Sequence, residues 1–198
     1  MRHKREHDRV DDGHDAALGS GGARARLGFW GEIGHRLRLA FPARWVRLHS
    51  LPGSKRYPEN ESEYAGVLAR HNSILGELTA PDHDVVLVTT EYSESPSPGS
   101  NATLWRTIPM HEIEDKFADP NYWHLFASIR VWRPGEFDPL VRLIAADSVA
   151  NVLIVAPDCR WVLHPYDGGM DVITESPEAC RTLRERHLDW LSAREDGL

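Results

Sequence analysis

The residues best suited to chemistry stand close together late in the chain, in His164-Pro165-Tyr166-Asp167-Gly168-Gly169-Met170-Asp171. Two carboxylates and an imidazole at this spacing could hold a divalent cation or supply a general base, with Tyr166 as a polarising group. The stretch lies between apolar runs and reads as the tip of a β-hairpin, with Gly168-Gly169 as its turn. On such a hairpin His164 and Asp171 become cross-strand neighbours, and Asp167 sits at the entrance to the turn. The same residues also suit a structural part. Aspartates cap turns through local backbone bonds, or accept from a nearby N–H or arginine. His164, Tyr166, Asp167 and Asp171 are therefore read as binding residues. No catalytic residue, metal or cofactor is assigned.

Three other groupings bear on chemistry. Cys159 and His164 are close enough in sequence to suggest a thiol–imidazole dyad, but such a pair also needs an orienting third group. His111-Glu112-Ile113-Glu114-Asp115 has the start of a zinc-protease helix, with Asp115 where the second histidine belongs. There is no G-x-S-x-G, Walker loop or C-x-x-C. Along the segment 122–132, Trp123, Leu125, Ala127, Ile129 and Val131 share one face of a strand, and Tyr122, Phe126 and Trp132 fall on the other. If no helix covers that second face it is an apolar patch that needs a partner, so Tyr122 and Trp132 join the binding residues. The alternative is a sheet covered on both sides. His71 and His187 stand in apolar helix stripes and read as core histidines.

These groups need elements to position them. Phe29, Trp30, Ile33 and Leu37 suit a short amphipathic helix, and Trp45 to His49 a first strand. Asn60 and Glu63 form a capping box ahead of the best helical period in the chain: Tyr64, Val67, Leu68, His71, Ile74, Leu75 and Leu78. Asp84 to Tyr92 is a β-branched strand, and Tyr122 to Trp132 a long one. Asp138-Pro139 starts a helix with Leu140, Leu143 and Ile144 on its apolar face. Strands over 151–155, 161–166 and 170–174 follow. Ser176-Pro177 opens a terminal helix carrying Leu183, His187, Trp190 and Leu191. Without sustained βαβ alternation, the order predicts an α+β fold: a mostly antiparallel sheet with helices packed on it and a helix at the C-terminus.

Composition narrows the classes of function. The first 50 residues hold ten Lys/Arg against six Asp/Glu, and the remainder thirteen against twenty-four. Residues 1–27 are polar and Gly-rich with no aromatic residue, so they read as a disordered tail before one domain over 28–198. The net charge of -7 argues against nucleic acid and for a basic protein partner. Twenty arginines against three lysines suit a GC-rich bacterial genome. Two cysteines, no secretory signal and no long apolar run place the chain in the cytoplasm, away from the membrane.

The segment HPYDGGMDVI, the terminal His187-x-x-Trp190-Leu191 and the block from Trp45 to His71 resemble a bacterial family of unknown function. Members of that family carry a Tyr-Asp-Asp-Arg-Gly-x-Asp signature at a late hairpin. Tyr166, Asp167, Gly169 and Asp171 match it, and Gly168 stands where the family often has arginine. The resemblance runs from Trp45 to Leu191 and implies a fold rather than an activity. The expected function is a non-catalytic protein-interaction module, regulatory or of the toxin-immunity type. The alternative is a small metal-dependent or hydrolytic enzyme using His164, Asp167 and Asp171.

Overall fold

The computed structural model describes residues 34–97, 102–109 and 122–194. The tail over 1–27 and the row His111 to Asp115 lie outside them. The fold is α+β, as expected. Seven antiparallel strands run β1 (Trp45–His49), β2 (Asp84–Ser93), β3 (Thr103–Pro109), β4 (Tyr122–Val131), β5 (Leu153–Val155), β6 (Val162–Tyr166) and β7 (Gly169–Ile173). Their order across the sheet is β1-β7-β6-β5-β2-β4-β3. The helices are α1 (34–40), α2 (Glu61–Leu78), α3 (Asp138–Ala145) and α4 (Pro177–Arg186).

Strand alternation gives the sheet two unlike faces. Val46, Leu48, Val172, Met170, Leu163, Ile154 and Val85 point one way. They pack into one core with Val67, Ile74 and Leu75 of α2, Val141 of α3 and Leu183 of α4. Helices α2, α3 and α4 thus all cover this face. On the other face a smaller apolar cluster forms from Val88, Trp123 and Leu125, flanked by Val86, Ile108, Leu153 and Val155. Beside it, toward β1, the same face turns polar, and there α1 lies against it.

Local chemistry explains the main boundaries. Asn60 caps α2 by accepting from the Glu63 N–H at 3.0 Å. The Glu63 side chain reaches back to the Glu59 N–H and also takes Lys55, so this is a capping box displaced by one residue. Ser176 caps α4 by accepting from the Ala179 N–H. That helix stops at His187, and Leu188–Trp190 forms a separate 3-10 turn, so it is shorter than its apolar period suggests. In α3, Phe137 is the cap and Asp138 already lies within the helix. Its buried face is Val141, Ile144 and Ala145, while Leu143 is exposed.

Strand β3 was not expected. Its pairing with β4 shifts between Leu104 and Arg106, which leaves Trp105 as an extra bulged residue and breaks the alternation that marks a strand.

Candidate functional site

The hairpin forms, with its turn one residue earlier than expected. Tyr166 pairs with Gly169, so Asp167-Gly168 makes the turn and Gly169 begins β7. His164 and Asp171 are direct cross-strand partners. On the other side of β7, Asp171 pairs with Arg47 and Gly169 with His49. Two rows of three residues therefore cross the polar face: Arg47, Asp171 and His164, then His49, Gly169 and Tyr166.

Asp171 is the centre of this block. It is 1 % exposed, and Arg47 grips it with both arms of its fork: Nε donates to Oδ1 at 2.8 Å and Nη2 to Oδ2 at 3.0 Å. The planar guanidinium matches a carboxylate in this way, which an ammonium cannot do. It also lies over two rings, 5.1 Å from the centroid of Tyr166 and 5.7 Å from that of Trp45. Gly34 of α1 closes the block from above. A Cβ there would come within 2.7 Å of Asp171 Oδ2 and 3.4 Å of His164 Nδ1, so only glycine lets α1 approach so closely. Gly169 is tighter still. A Cβ on it would stand 2.3 Å from the Leu48 carbonyl oxygen and 2.9 Å from Tyr166 Oη.

Burial controls the protonation of this block. It pushes the His164 imidazole down to about 4, against a smaller upward pull from Asp171, so the ring is neutral at pH 7. It also raises the Tyr166 hydroxyl well above its ordinary range, and lowers His49, with Arg47 adding to the effect. Three buried atoms here have no hydrogen-bond partner among the described residues: His49 Nε2, His164 Nδ1 and Tyr166 Oη.

Asp167 is engaged elsewhere. Instead of capping its own turn, it accepts from Arg56 Nε at 2.6 Å across 111 residues of chain. Gly168 leaves room for that arginine, since a Cβ on it would touch Arg56 Cγ at 3.4 Å. The Tyr57 hydroxyl is raised, first by burial and then by the Asp167 carboxylate beside it. Burial and repulsion from Asp167 likewise raise Asp147.

The structure thus brings His164, Tyr166 and Asp171 together, with Asp167 at the adjoining turn. Tyr122 and Trp132 are not part of this group, since β5 and β2 stand between β6 and β4. Tyr122 is half-buried. Phe126 is 4 % exposed and Trp132 1 %, so the aromatic patch expected from them is not an open surface. The large apolar side chains that do face solvent in this part of the sheet are Tyr92, Leu104, Trp105, Ile129 and Val131. Cys159 is exposed in the β5–β6 turn, whereas His164 is buried. Sequence reasoning missed Arg47, Arg56 and Gly34. The only local signal was alternation in Trp45 to His49, which sets Arg47 on a face opposite Val46 and Leu48.

A family model described as a domain of unknown function (DUF3885) matches residues 33–195. The chain belongs to that family. No curated protein and no solved structure matches it. The matched span of this DUF3885 chain takes in the polar block and all seven strands. Among the described residues no three His, Cys, Asp or Glu side chains are grouped to hold a metal ion, and no helix is long and apolar enough to cross a membrane.

Proposed function

We propose that this DUF3885 chain is a non-catalytic protein-interaction module, regulatory or of the toxin-immunity type, acting in a bacterial cytoplasm. The observation that carries the reading is the state of the hairpin carboxylates. Asp171 and Asp167 each hold an arginine of the same chain. A carboxylate so neutralised has little left to offer a hard cation or a substrate proton. The block acts as a fixed support that ties β1, β7, β6 and α1 together.

The contact surface in this reading lies further along the same face. Ile129, 73 % exposed, and Val131 continue the apolar cluster of Val88, Trp123 and Leu125 into solvent. Trp105, 65 % exposed, stands on the neighbouring edge strand. An apolar cluster that runs on into exposed side chains, as at Ile129 and Val131, is the kind of surface that marks a partner site. The acidic balance of residues 51–198 favours a basic partner and fast encounter.

The test crosslinks the tagged full-length chain in its host and identifies captured proteins by mass spectrometry, for wild type and for Trp105→Ala with Ile129→Glu. The expected result is a stoichiometric partner that disappears with the double variant while the circular dichroism spectrum is kept. Parallel calorimetric titrations with Mg²⁺, Mn²⁺ and Ca²⁺ address the enzyme reading. A micromolar site lost in Asp171→Asn would overturn the proposal.

A further inference from the structure

Away from the polar block, two adjoining clefts open between the C-terminal end of α2, the β5–β6 turn and α4. One encloses about 490 Å³ and the other about 280 Å³. The larger falls within the roughly 300–1,000 Å³ typical of small-molecule sites. Four residues line both clefts and so mark their junction: Thr79, His83, Arg160 and Trp161. Each can donate a hydrogen bond.

Trp161 brings a buried donor to the junction. Its side chain is buried, with the residue only 3 % exposed, and its indole N–H meets no acceptor among the described residues. An indole N–H can only donate, so a lone acceptor atom is what it lacks. Arg160 has the freedom to supply charge. Its side chain is 55 % exposed, and its one ion pair among the described residues, with Asp158, is long at 3.6 Å. Asp158 also accepts from the backbone N–H of Arg160, which keeps it turned toward its own loop.

The acidic residues around the clefts do not take over the junction. Glu77 accepts from Arg186 at 3.1 Å and from His187 at 2.6 Å. Glu175 and Asp84 are exposed at opposite clefts, where solvent and salt screen them. Beyond the junction the larger cleft has a mixed wall, in which Leu78 and Leu183 stand beside Thr174, Thr182 and the Glu77–Arg186 pair.

From this arrangement we infer that the junction is a binding site for a small organic acid. Its oxyanion would be met by Arg160, His83, Thr79 and the Trp161 indole, with its apolar body along Leu78 and Leu183. A carboxylate or phosphate fits because it accepts hydrogen bonds without donating any and carries the charge that a guanidinium pairs with. The site is independent of the partner surface proposed above.

The experiment uses the full chain labelled with ¹⁵N and follows the Trp161 indole N–H during titration. Four probes are added separately: phenylacetate, phenyl phosphate, the neutral phenylacetamide and the cationic benzylamine. The indole resonance is assigned with Trp161→Phe. Either phenylacetate or phenyl phosphate, or both, should shift it saturably, and the stronger of the two names the oxyanion. Arg160→Gln should weaken that binding about tenfold or more, as loss of a charge-assisted hydrogen bond does. His83→Ala should weaken it less, and Arg106→Gln, on the far edge strand, not at all. Circular dichroism and melting temperature establish that each variant folds. The proposal fails if neither anion shifts the indole at tens of millimolar, if phenylacetamide or benzylamine binds as well, or if folded Arg160→Gln and His83→Ala both bind like wild type.

Discussion

Replacing Arg47 by alanine should destabilise the protein more than replacing Asp171, although both changes break the same pair. The reason is unequal exposure. Asp171 is 1 % exposed and Arg47 22 %. In Arg47→Ala the carboxylate stays buried beneath Gly34 with both fork bonds gone, and breaking a buried pair in this way costs about 3–5 kcal/mol. In Asp171→Ala the guanidinium can rotate toward solvent and keep its packing on the Tyr166 and Trp45 rings. The loss is then nearer that of one hydrogen bond to a charged group, about 2 kcal/mol. Urea titrations give both values from the shift in midpoint, provided the slope is unchanged. The double variant closes the cycle and should return a coupling energy of about 1.5–3 kcal/mol. The reasoning is refuted if Asp171→Ala costs as much as Arg47→Ala, or if both fall within about 0.5 kcal/mol of wild type, the range of ordinary surface changes.

Three further outcomes follow from the same geometry. Gly34→Ala should cost about 1–3 kcal/mol, because its Cβ meets Asp171 Oδ2 at 2.7 Å; a melting curve identical to wild type would show that α1 does not press on the block. Gly169→Ala should be worse, since its Cβ would strike the Leu48 backbone oxygen at 2.3 Å, and amide spectra should show β1 parted from β7; a native-like spectrum would count against the register. Burial lowers both His164 and His71 to about 4, so each favours the folded state above pH 6.5. That stability is lost as pH falls from about 6.5 to about 4, by up to about 3 kcal/mol per histidine, because the unfolded chain takes up the proton first. Denaturation midpoints that stay level between pH 7 and pH 5 would contradict it, and His164→Gln should flatten the slope.

Elements whose signals are local were legible in the sequence. The period of Tyr64, Val67, His71, Ile74 and Leu75 with its Asn60 cap gave α2, and the β-branched run Val85 to Thr90 gave β2. The tight turn near Gly168 gave the hairpin. Where a single irregular residue intervenes, the reading failed: the bulge at Trp105 hid β3, and the bend at His187 cut the last helix short. Trp132 looked like part of a strand face, but it lies one residue beyond β4, where its N–H donates to the His83 carbonyl and its ring enters the core. The candidate site was half visible. His164, Tyr166 and Asp171 could be grouped by strand pairing. Their counterparts Arg47 and Arg56 lie 124 and 111 residues from the aspartates they hold, and no local pattern reports a contact of that span.

That span also sets the order in which the molecule can be built. Among the described residues β1 is an edge strand paired with β7 alone, so it leaves the ribosome long before the strand it needs exists. Closing a loop of that length costs about 4 kcal/mol of chain entropy before any contact offsets it. Helix α2 and the β2–β4 pairing close shorter loops and need not wait. Until β7 is made, Trp45, Val46 and Leu48 remain a bare apolar strand with open hydrogen-bonding edges. A nascent chain stalled before Asp171 is therefore the form of this protein most prone to aggregate, and the guanidinium of Arg47 is the one charge on that strand to hold it in solution.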